Sequence, residues 1–207
     1  MQPPWPGRKI PRESVAPPLR RRPKPDTLAL MERLPYQATA ASRIYDGLTP
    51  LPVSILLEDL RSQYNVGAFF RTADAARIER LLLCGITAVP PQRGIAKTAL
   101  GAEQTVAWEY WPAACAAIDT FRSRGYEVAA VETGIHAIDL FDWEPRFPVC
   151  LILGNEIEGI RPETAARADA YVRIPMLGMK HSLNVATAGG ILVYELLRKW
   201  RRLRERS

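Results

Sequence analysis

The sequence of 207 residues predicts an α/β fold in which a mostly parallel sheet is covered by helices on both faces. Short runs of apolar residues alternate along the chain with segments whose apolar residues recur at helical spacing. Glycine or proline separates many of these segments, as expected at turns and helix ends. The length suffices for one domain with a substantial core, or for one domain with an extension.

Six strands and the helices between them are predicted in chain order. The predicted strands cover residues 52–59, 80–84, 105–110, 127–132, 149–153 and 170–174. The predicted helices cover residues 65–77, 113–124 and 162–168, with a short helical turn near 96–100 and a final helix from Leu183 onward. Pro162 suits a first helical position, and residues 133–148 are expected to form an irregular loop.

The positive charge of the chain is concentrated at its two ends. Residues 1–33 hold eight basic and three acidic residues, and residues 198–207 hold six basic and one acidic residue. Because the whole chain carries a formal net charge of +6, the part between the ends is mildly acidic. Basic ends attract RNA or DNA through counterion release. The alternatives are a solubility tail, a solvated terminal helix, or ends that bind a membrane surface or a protein.

Residues 1–34 form a Pro/Arg-rich extension, and residues 35–207 are predicted to form the folded domain. Eight prolines before residue 26 disfavour a regular helix, so we expect this basic extension to be disordered. A short helix over residues 36–47 is expected to lead the domain.

Several classes of protein and site are disfavoured by what the sequence lacks. No apolar run approaches the roughly 20 residues of a membrane helix, and no signal-peptide core is present. The isolated Cys84, Cys115 and Cys150 are expected to be buried, reduced thiols of a cytoplasmic protein. No CxxC motif or histidine cluster offers a metal site. The glycine-rich motifs of dinucleotide and P-loop phosphate sites are missing, as is the GxSxG motif.

The final predicted helix contains a run of small residues. Ser182 is expected to be its N-cap. Ala186, Ala188, Gly189 and Gly190 follow within two turns. Because each glycine inside a helix costs on the order of 1 kcal/mol relative to alanine, another helix or a ligand must approach this backbone closely.

Three stretches, in this order, carry a family resemblance. They are NVGAFFRTADA at residues 65–75, LILGNEIEGI at 151–160 and IPMLGMKHSLNVATAGGILVYEL at 174–196. Together they resemble the motifs of the SpoU/TrmH group of SPOUT methyltransferases, which methylate the ribose 2′-hydroxyl of RNA. The resemblance implies a Rossmann-like sheet with a C-terminal deep trefoil knot, S-adenosylmethionine as the cofactor, tRNA or rRNA as the substrate, and a homodimer. Leu192, Leu196 and Trp200 are compatible with the helix packing of such a dimer.

The cofactor site is expected beyond the carboxyl ends of the strands, where an open parallel sheet binds its ligands. Three loops, at residues 132–134, 154–156 and 175–177, could line one crevice there. By position in the motifs, the resemblance implies cofactor contacts at Gly154, Ile174 and Leu183, with Thr133 and Met176 as neighbours. Core packing is the alternative for Ile174 and Leu183, and a strand-end turn is the alternative for Gly154.

The resemblance implies catalytic roles for Asn65, Arg71, Glu156, Ser182 and Asn184. We interpret Asn65 as a helix N-cap and Arg71 as a guanidinium that holds an RNA phosphate beside the reactive ribose. The alternative for Arg71 is a surface ion-pair residue. Glu156 is expected to accept hydrogen bonds near the site. Ser182 and Asn184 are expected at the reaction centre. The alternative to an RNA 2′-O-methyltransferase is a non-catalytic RNA-binding or ribosome-assembly protein on the same fold.

Overall fold

The computed structural model describes residues 49–134 and 136–206, and the predicted N-terminal extension and the helix at 36–47 lie outside this part of the chain. Its centre is one sheet in which each pairing between strands is parallel. The strands are β1 Leu51–Glu58, β2 Ile78–Cys84, β3 Trp108–Trp111, β4 Glu127–Val131, β5 Ile138–Asp139, β6 Val149–Leu153 and β7 Ala170–Arg173. Their spatial order is β3-β2-β1-β6-β4-β7-β5, which confirms the predicted parallel α/β fold.

The helices connect these strands. They are α1 Gln63–Ala76, α2 Arg93–Ala99, α3 Ala114–Ser123, α4 Pro162–Ala165 and α5 Val185–Arg206, with a 3-10 turn at Ala102–Gln104 after α2. None of the described helices combines the length and the apolar composition that a membrane crossing requires.

Two predictions about the strands and the loop between them were wrong. Residues 133–148 are not wholly irregular, because β5 pairs there with Val172 and Arg173 of β7. A strand of two residues is too short to show a period in the sequence. The third strand begins at Trp108 instead of Thr105, whose backbone N–H donates to the Ala102 carbonyl at 3.1 Å and so belongs to the preceding 3-10 turn.

The apolar core lies on both faces of the sheet. Helices α1 and α5 cover one face, with Phe69 and Leu192 among its fully buried side chains. Helix α3 covers the other face, with Ile118 and Phe121 packed near Cys150. Burial raises the pKa of the Cys84 and Cys150 thiols, while Cys115 is only partly buried.

Leu192 and Leu196 were expected to suit packing across a dimer axis, and the structure corrects this. Both are fully buried inside their own chain. Trp200 is also engaged within the chain, where its ring lies 5.0 Å from that of Phe147. The outward face of α5 carries Ile191 and Tyr194 instead. The homodimer and the trefoil knot stay predictions.

One glycine of the pair in α5 has the close neighbour that the sequence predicted, and the other does not. A Cβ atom built on Gly189 would overlap the ring of Phe69 in α1, whereas one built on Gly190 would meet nothing within 4 Å. Gly189 therefore allows the two helices to touch, and helix α1 supplies the close approach at this position.

We expect Gly189→Ala to lower the free energy of unfolding by about 1–3 kcal/mol, because Phe69 must leave its packed position. The matched variant Gly190→Ala should be neutral or stabilising by about 0.5–1 kcal/mol, since alanine favours the helix. Urea denaturation of the two variants measures the difference. Equal effects of the two substitutions would contradict the close α1–α5 contact.

Candidate active site

A cavity of about 580 Å³ opens at the carboxyl edge of the sheet. It forms there because β6, β4 and β7 are neighbours, so the segments that follow these parallel strands meet at one edge. Its walls are Val131, Glu132, Thr133, Leu153, Gly154, Asn155, Glu156, Ile157, Glu158, Gly159, Ile174, Met176, Ser182, Leu183, Asn184, Val185 and Ala188. The three loops predicted to share one crevice therefore do so.

Eight of the ten predicted site residues line this cavity. They are Thr133, Gly154, Glu156, Ile174, Met176, Ser182, Leu183 and Asn184. Leu183 is exposed to 40%, so core packing does not explain its position. Asn65 and Arg71, both from α1, are not among the lining residues.

Asn65 nevertheless joins the cavity through its side chain. Its Nδ2 donates to Glu156 Oε1 at 2.9 Å, and its Oδ1 accepts from Asn184 Nδ2 at 3.1 Å. One amide thus connects a helix on one side of the cavity to two of the cavity loops. We call this chain of two hydrogen bonds the Asn65 bridge.

The prediction that Asn65 is the N-cap of α1 was wrong. Ser62 occupies that position, and its hydroxyl accepts from the Asn65 backbone N–H at 3.3 Å. Because Ser62 satisfies this end of the helix, the Asn65 side chain is free to form the bridge.

The prediction that Ser182 caps the last helix was also wrong. Helix α5 begins at Val185, and Asn184 Oδ1 accepts from the backbone N–H groups of Ala186 and Thr187 at 3.0 and 3.2 Å. Asn184 therefore uses its oxygen as a cap and its amide nitrogen in the Asn65 bridge. Ser182 remains an exposed residue of the cavity wall.

The loop after β6 turns back tightly over Gly154. Asn155 and Gly159 form a backbone bridge, and a Cβ atom on Gly154 would overlap the backbone of Gly159 and Ile160. Asn155 Oδ1 accepts from the backbone N–H groups of Ile157 and Glu158, which fixes the bend. A glycine is therefore required at position 154 for this loop to form a cavity wall.

Glu58 and Asp59 anchor this loop, and they were not identified from the sequence. Glu58 accepts from the Thr164 hydroxyl at 2.6 Å and from the Arg161 backbone N–H at 3.0 Å. Asp59 Oδ2 lies 2.6 Å from Arg161 Nη2, and the Asp59 carbonyl accepts from Asn155 Nδ2. The available signal was the pair of acids that ends the buried strand β1, since buried carboxylates need partners.

Arg71 lies elsewhere on α1. Six residues separate it from Asn65, a rotation of about 240° around the helix, so the two side chains leave different faces. Arg71 is exposed and has no ion-pair or hydrogen-bond partner among residues 49–134 and 136–206. The structure therefore does not place Arg71 in the cavity of its own chain.

The comparison with known proteins identifies the family. Residues 52–194 match the model of the SpoU rRNA Methylase family. The chain belongs to the SpoU family. All three predicted motifs fall largely or wholly within the matched range, so the resemblance predicted from them is confirmed.

Relatives of this SpoU chain include proteins of known structure. A TrmH-family protein of Staphylococcus haemolyticus is 30% identical over 149 residues, which cover 72% of this chain and 59% of the relative. The AdoMet-bound rRNA methyltransferase of Sinorhizobium meliloti is 30% identical, with a TM-score of 0.67 over 72% of this chain and 60% of that one. An RNA 2′-O ribose methyltransferase is 27% identical, with a TM-score of 0.66 over 77% of this chain and 61% of that one. The SpoU chain thus spans about three fifths of the length of these proteins.

The hydrogen bond from Asn65 helps to lower the pKa of Glu156. Partial burial on its own raises the pKa of this carboxyl, but hydrogen bonds from the Asn65 side chain and from the backbone, including that of Arg61, outweigh it, so the pKa of Glu156 is lowered overall. The carboxylate is therefore an acceptor that holds the loop, which is the role predicted for it.

We expect the stability contributed by ionised Glu156 to be pH-dependent. A lowered pKa in the folded state stabilises the protein above the unfolded-state pKa of about 4.3, and this contribution is lost as the pH falls through the folded-state pKa. The melting temperature of Glu156→Gln should thus lie below that of the unsubstituted protein near neutral pH, and the two should converge in acid. Calorimetric melting of both proteins from neutral to acid pH measures this difference in melting temperature. A difference that does not change with pH would contradict the assignment.

Proposed function

We propose that this chain transfers a methyl group from S-adenosylmethionine to a ribose 2′-hydroxyl of tRNA or rRNA. The observation that carries the proposal is the cavity shared by three strand-end loops, two of which carry motif residues and are tied together by the Asn65 bridge. Similarity to an AdoMet-bound rRNA methyltransferase and to an RNA 2′-O ribose methyltransferase supports the cofactor and the acceptor group.

The cavity fits the cofactor by size and composition. Its volume of about 580 Å³ lies within the range of roughly 300–1,000 Å³ common for small-molecule sites. Leu153, Ile174, Met176 and Leu183 provide apolar surface for an adenine ring and a thioether chain. When bound there, S-adenosylmethionine supplies an electrophilic sulfonium methyl group.

The residues of this chain position the reaction. Methyl transfer forms a bond from the ribose 2′-oxygen to the methyl carbon and breaks the carbon–sulfur bond, while the hydroxyl proton leaves to solvent or to the RNA. The two reacting atoms must be held about 3 Å apart and in line with the sulfur. Ser182 and Asn184 line the cavity and are proposed to lie beside the ribose, and the Asn65 bridge fixes Asn184. Glu156 secures the loop after β6, which forms part of the cavity wall.

Arg71 is proposed to hold an RNA phosphate. Its guanidinium stays protonated, so it suits a phosphate clamp better than a general base. Because Arg71 leaves a different face of α1 from Asn65, either the bound RNA or a second copy of the chain must connect it to the reaction centre. This requirement agrees with the predicted homodimer.

The test is methyl transfer from labelled S-adenosylmethionine to total RNA that lacks this modification, followed by nucleoside analysis. The expected product is a 2′-O-methylnucleoside. Arg71→Ala should lower kcat/KM about 100-fold or more, the scale typical for loss of a transition-state contact, with unchanged cofactor affinity. Base-methylated product would reject the 2′-O assignment, and undiminished transfer by Arg71→Ala would reject its role. A protein that binds RNA but neither binds nor uses the cofactor would be the non-catalytic alternative.

A further inference from the structure

A second group of functional side chains lies on the face of α1 away from Asn65. Tyr64 and Arg71 are seven residues apart, close to two full helical turns, so they share this face. Both are exposed, and Tyr64 retains 52% of its accessible surface. An exposed tyrosine and an exposed arginine in line on one helix offer a ring for stacking and a cation for phosphate.

Helix α2 packs directly beside this face. The Thr98 hydroxyl donates to the Tyr64 carbonyl at 2.9 Å, and Gln63 Oε1 accepts from the Gly94 N–H at 3.1 Å. A Cβ atom on Gly67 would overlap Thr98 and the Ile95 carbonyl, so the two helices are in close contact. Arg93 and Lys97, each next in sequence to one of these contacts, are exposed on α2. We call Tyr64, Arg71, Arg93 and Lys97 the α1–α2 face.

The cations of this face, Arg71, Arg93 and Lys97, form no ion pairs among the described residues. Arg93 and Lys97 are four residues apart on one helix, a spacing at which like charges repel. The nearest acids along the chain are otherwise engaged. Asp74 accepts from the Thr105 hydroxyl, and Glu103 accepts from the Gly101 N–H.

We propose that the α1–α2 face binds a single-stranded segment of the substrate RNA, with Tyr64 stacked on a base and Arg71, Arg93 and Lys97 at phosphates. The identity of the ligand class rests on the proposed function. Aromatic rings flanked by unpaired cations are the combination that binds single-stranded RNA. The surface also leads toward the cavity, because Arg61, just before α1, donates its backbone N–H to Glu156.

The inference adds to what the charge distribution of the sequence indicated. The charge distribution pointed only to the two basic ends, since the rest of the chain is mildly acidic overall, and the motifs added Arg71 alone. The fold instead gathers unpaired cations from two consecutive helices within that acidic part. Substrate selection therefore includes a surface inside the folded domain.

The experiment compares two double variants that each remove two positive charges. Arg93→Ala/Lys97→Ala changes the proposed face. Arg124→Ala/Arg146→Ala is the control, because these exposed arginines precede β4 and β6 at the opposite edge of the sheet from the cavity. Binding of a fluorescent, unstructured RNA of about 20 nucleotides is measured by anisotropy over a series of salt concentrations.

We expect Arg93→Ala/Lys97→Ala to weaken RNA binding and to reduce the slope of log affinity against log salt by about 1.4, or about 0.7 for each lost phosphate contact. The control should keep the slope of the unsubstituted protein. Tyr64→Ala should weaken binding about tenfold, whereas Tyr64→Phe should bind normally, because stacking needs the ring and not the hydroxyl.

A slope equal to that of the control, or a Tyr64→Ala variant with normal affinity, would overturn the proposal. Analytical ultracentrifugation of Arg93→Ala/Lys97→Ala provides a further test. A change from dimer to monomer would also overturn the proposal, because it would identify the face as a contact between two copies of the chain. Melting temperatures and calorimetric titration with S-adenosylmethionine separate the outcomes. If the variants bind S-adenosylmethionine, transfer methyl groups and bind RNA like the unsubstituted protein, only the RNA-binding role of the α1–α2 face is rejected. If the unsubstituted protein does not bind S-adenosylmethionine, the proposed function is rejected. The RNA-binding measurements on the α1–α2 face are then judged without it.

Discussion

Asn65→Asp is expected to lower the rate of methyl transfer at least about 100-fold, because small misplacements of reacting groups have effects of that size. The Asn65 amide donates to Glu156 at 2.9 Å and accepts from Asn184 at 3.1 Å. Aspartate keeps the acceptor for Asn184 but places a second carboxylate against Glu156. Repulsion between the two carboxylates then separates the loop after β6 from the start of α5.

The double variant Asn65→Asp/Glu156→Gln provides the internal control. In the double variant, position 156 carries the donor and position 65 carries the acceptor, which is the reverse of the natural contact. One hydrogen bond can therefore form again, and activity should recover by about tenfold over Asn65→Asp, in line with the energy of one hydrogen bond to a charged group. Gln104→Ala, an exposed amide outside the cavity lining, should have no effect. Steady-state kinetics with labelled cofactor measure all three. Full activity in Asn65→Asp, or no recovery in the double variant, would show that the Asn65 bridge does not position the site.

Gly154→Ala is expected to destabilise the fold by about 1–3 kcal/mol, because the added methyl group overpacks the turn, and to lower the affinity for S-adenosylmethionine by about tenfold if a similar strain falls on the cavity wall. The atoms that the new methyl group would overlap belong to the backbone of Gly159 and Ile160. Backbone cannot rotate away as a flexible side chain can. The loop must therefore move as a whole, and it takes Glu156 and one wall of the cavity with it.

Gly178→Ala is the matched substitution for this test. It lies in the loop after β7, and a Cβ atom there meets nothing within 4 Å. Calorimetric titration should give Gly178→Ala an affinity close to that of the unsubstituted protein and a clear loss for Gly154→Ala. A Gly154→Ala protein with normal stability and affinity would contradict the tight turn that the structure shows.

The sequence predicted the elements whose signals are local and uninterrupted. Strand β6 was predicted with both ends correct, because five apolar residues lie between Pro148 and Gly154. The helix starts were less predictable. Two capping residues compete at each start, Ser62 with Asn65 and Ser182 with Asn184, and local propensity does not separate them.

Tertiary contacts decide these cases. Asn184 caps α5, and its amide nitrogen reaches Asn65, a residue 119 positions earlier in the chain. No local pattern contains that contact. The six-residue spacing of Asn65 and Arg71 already predicted that their side chains leave different faces of one helix, but not that Asn65 would bridge two of the cavity loops. The acids Glu58 and Asp59 were visible in the sequence, yet their partners Arg161 and Thr164 became evident only in the fold.

The central claim is that the cavity at the carboxyl edge of β6, β4 and β7 holds the methyl donor. A crystal structure of the protein with a saturating concentration of S-adenosylmethionine tests this most directly. We predict electron density for the bound molecule between Gly154 and Leu183, with its methyl group directed toward Asn184. Density for the molecule at another place in the chain, with this cavity empty, would contradict the account.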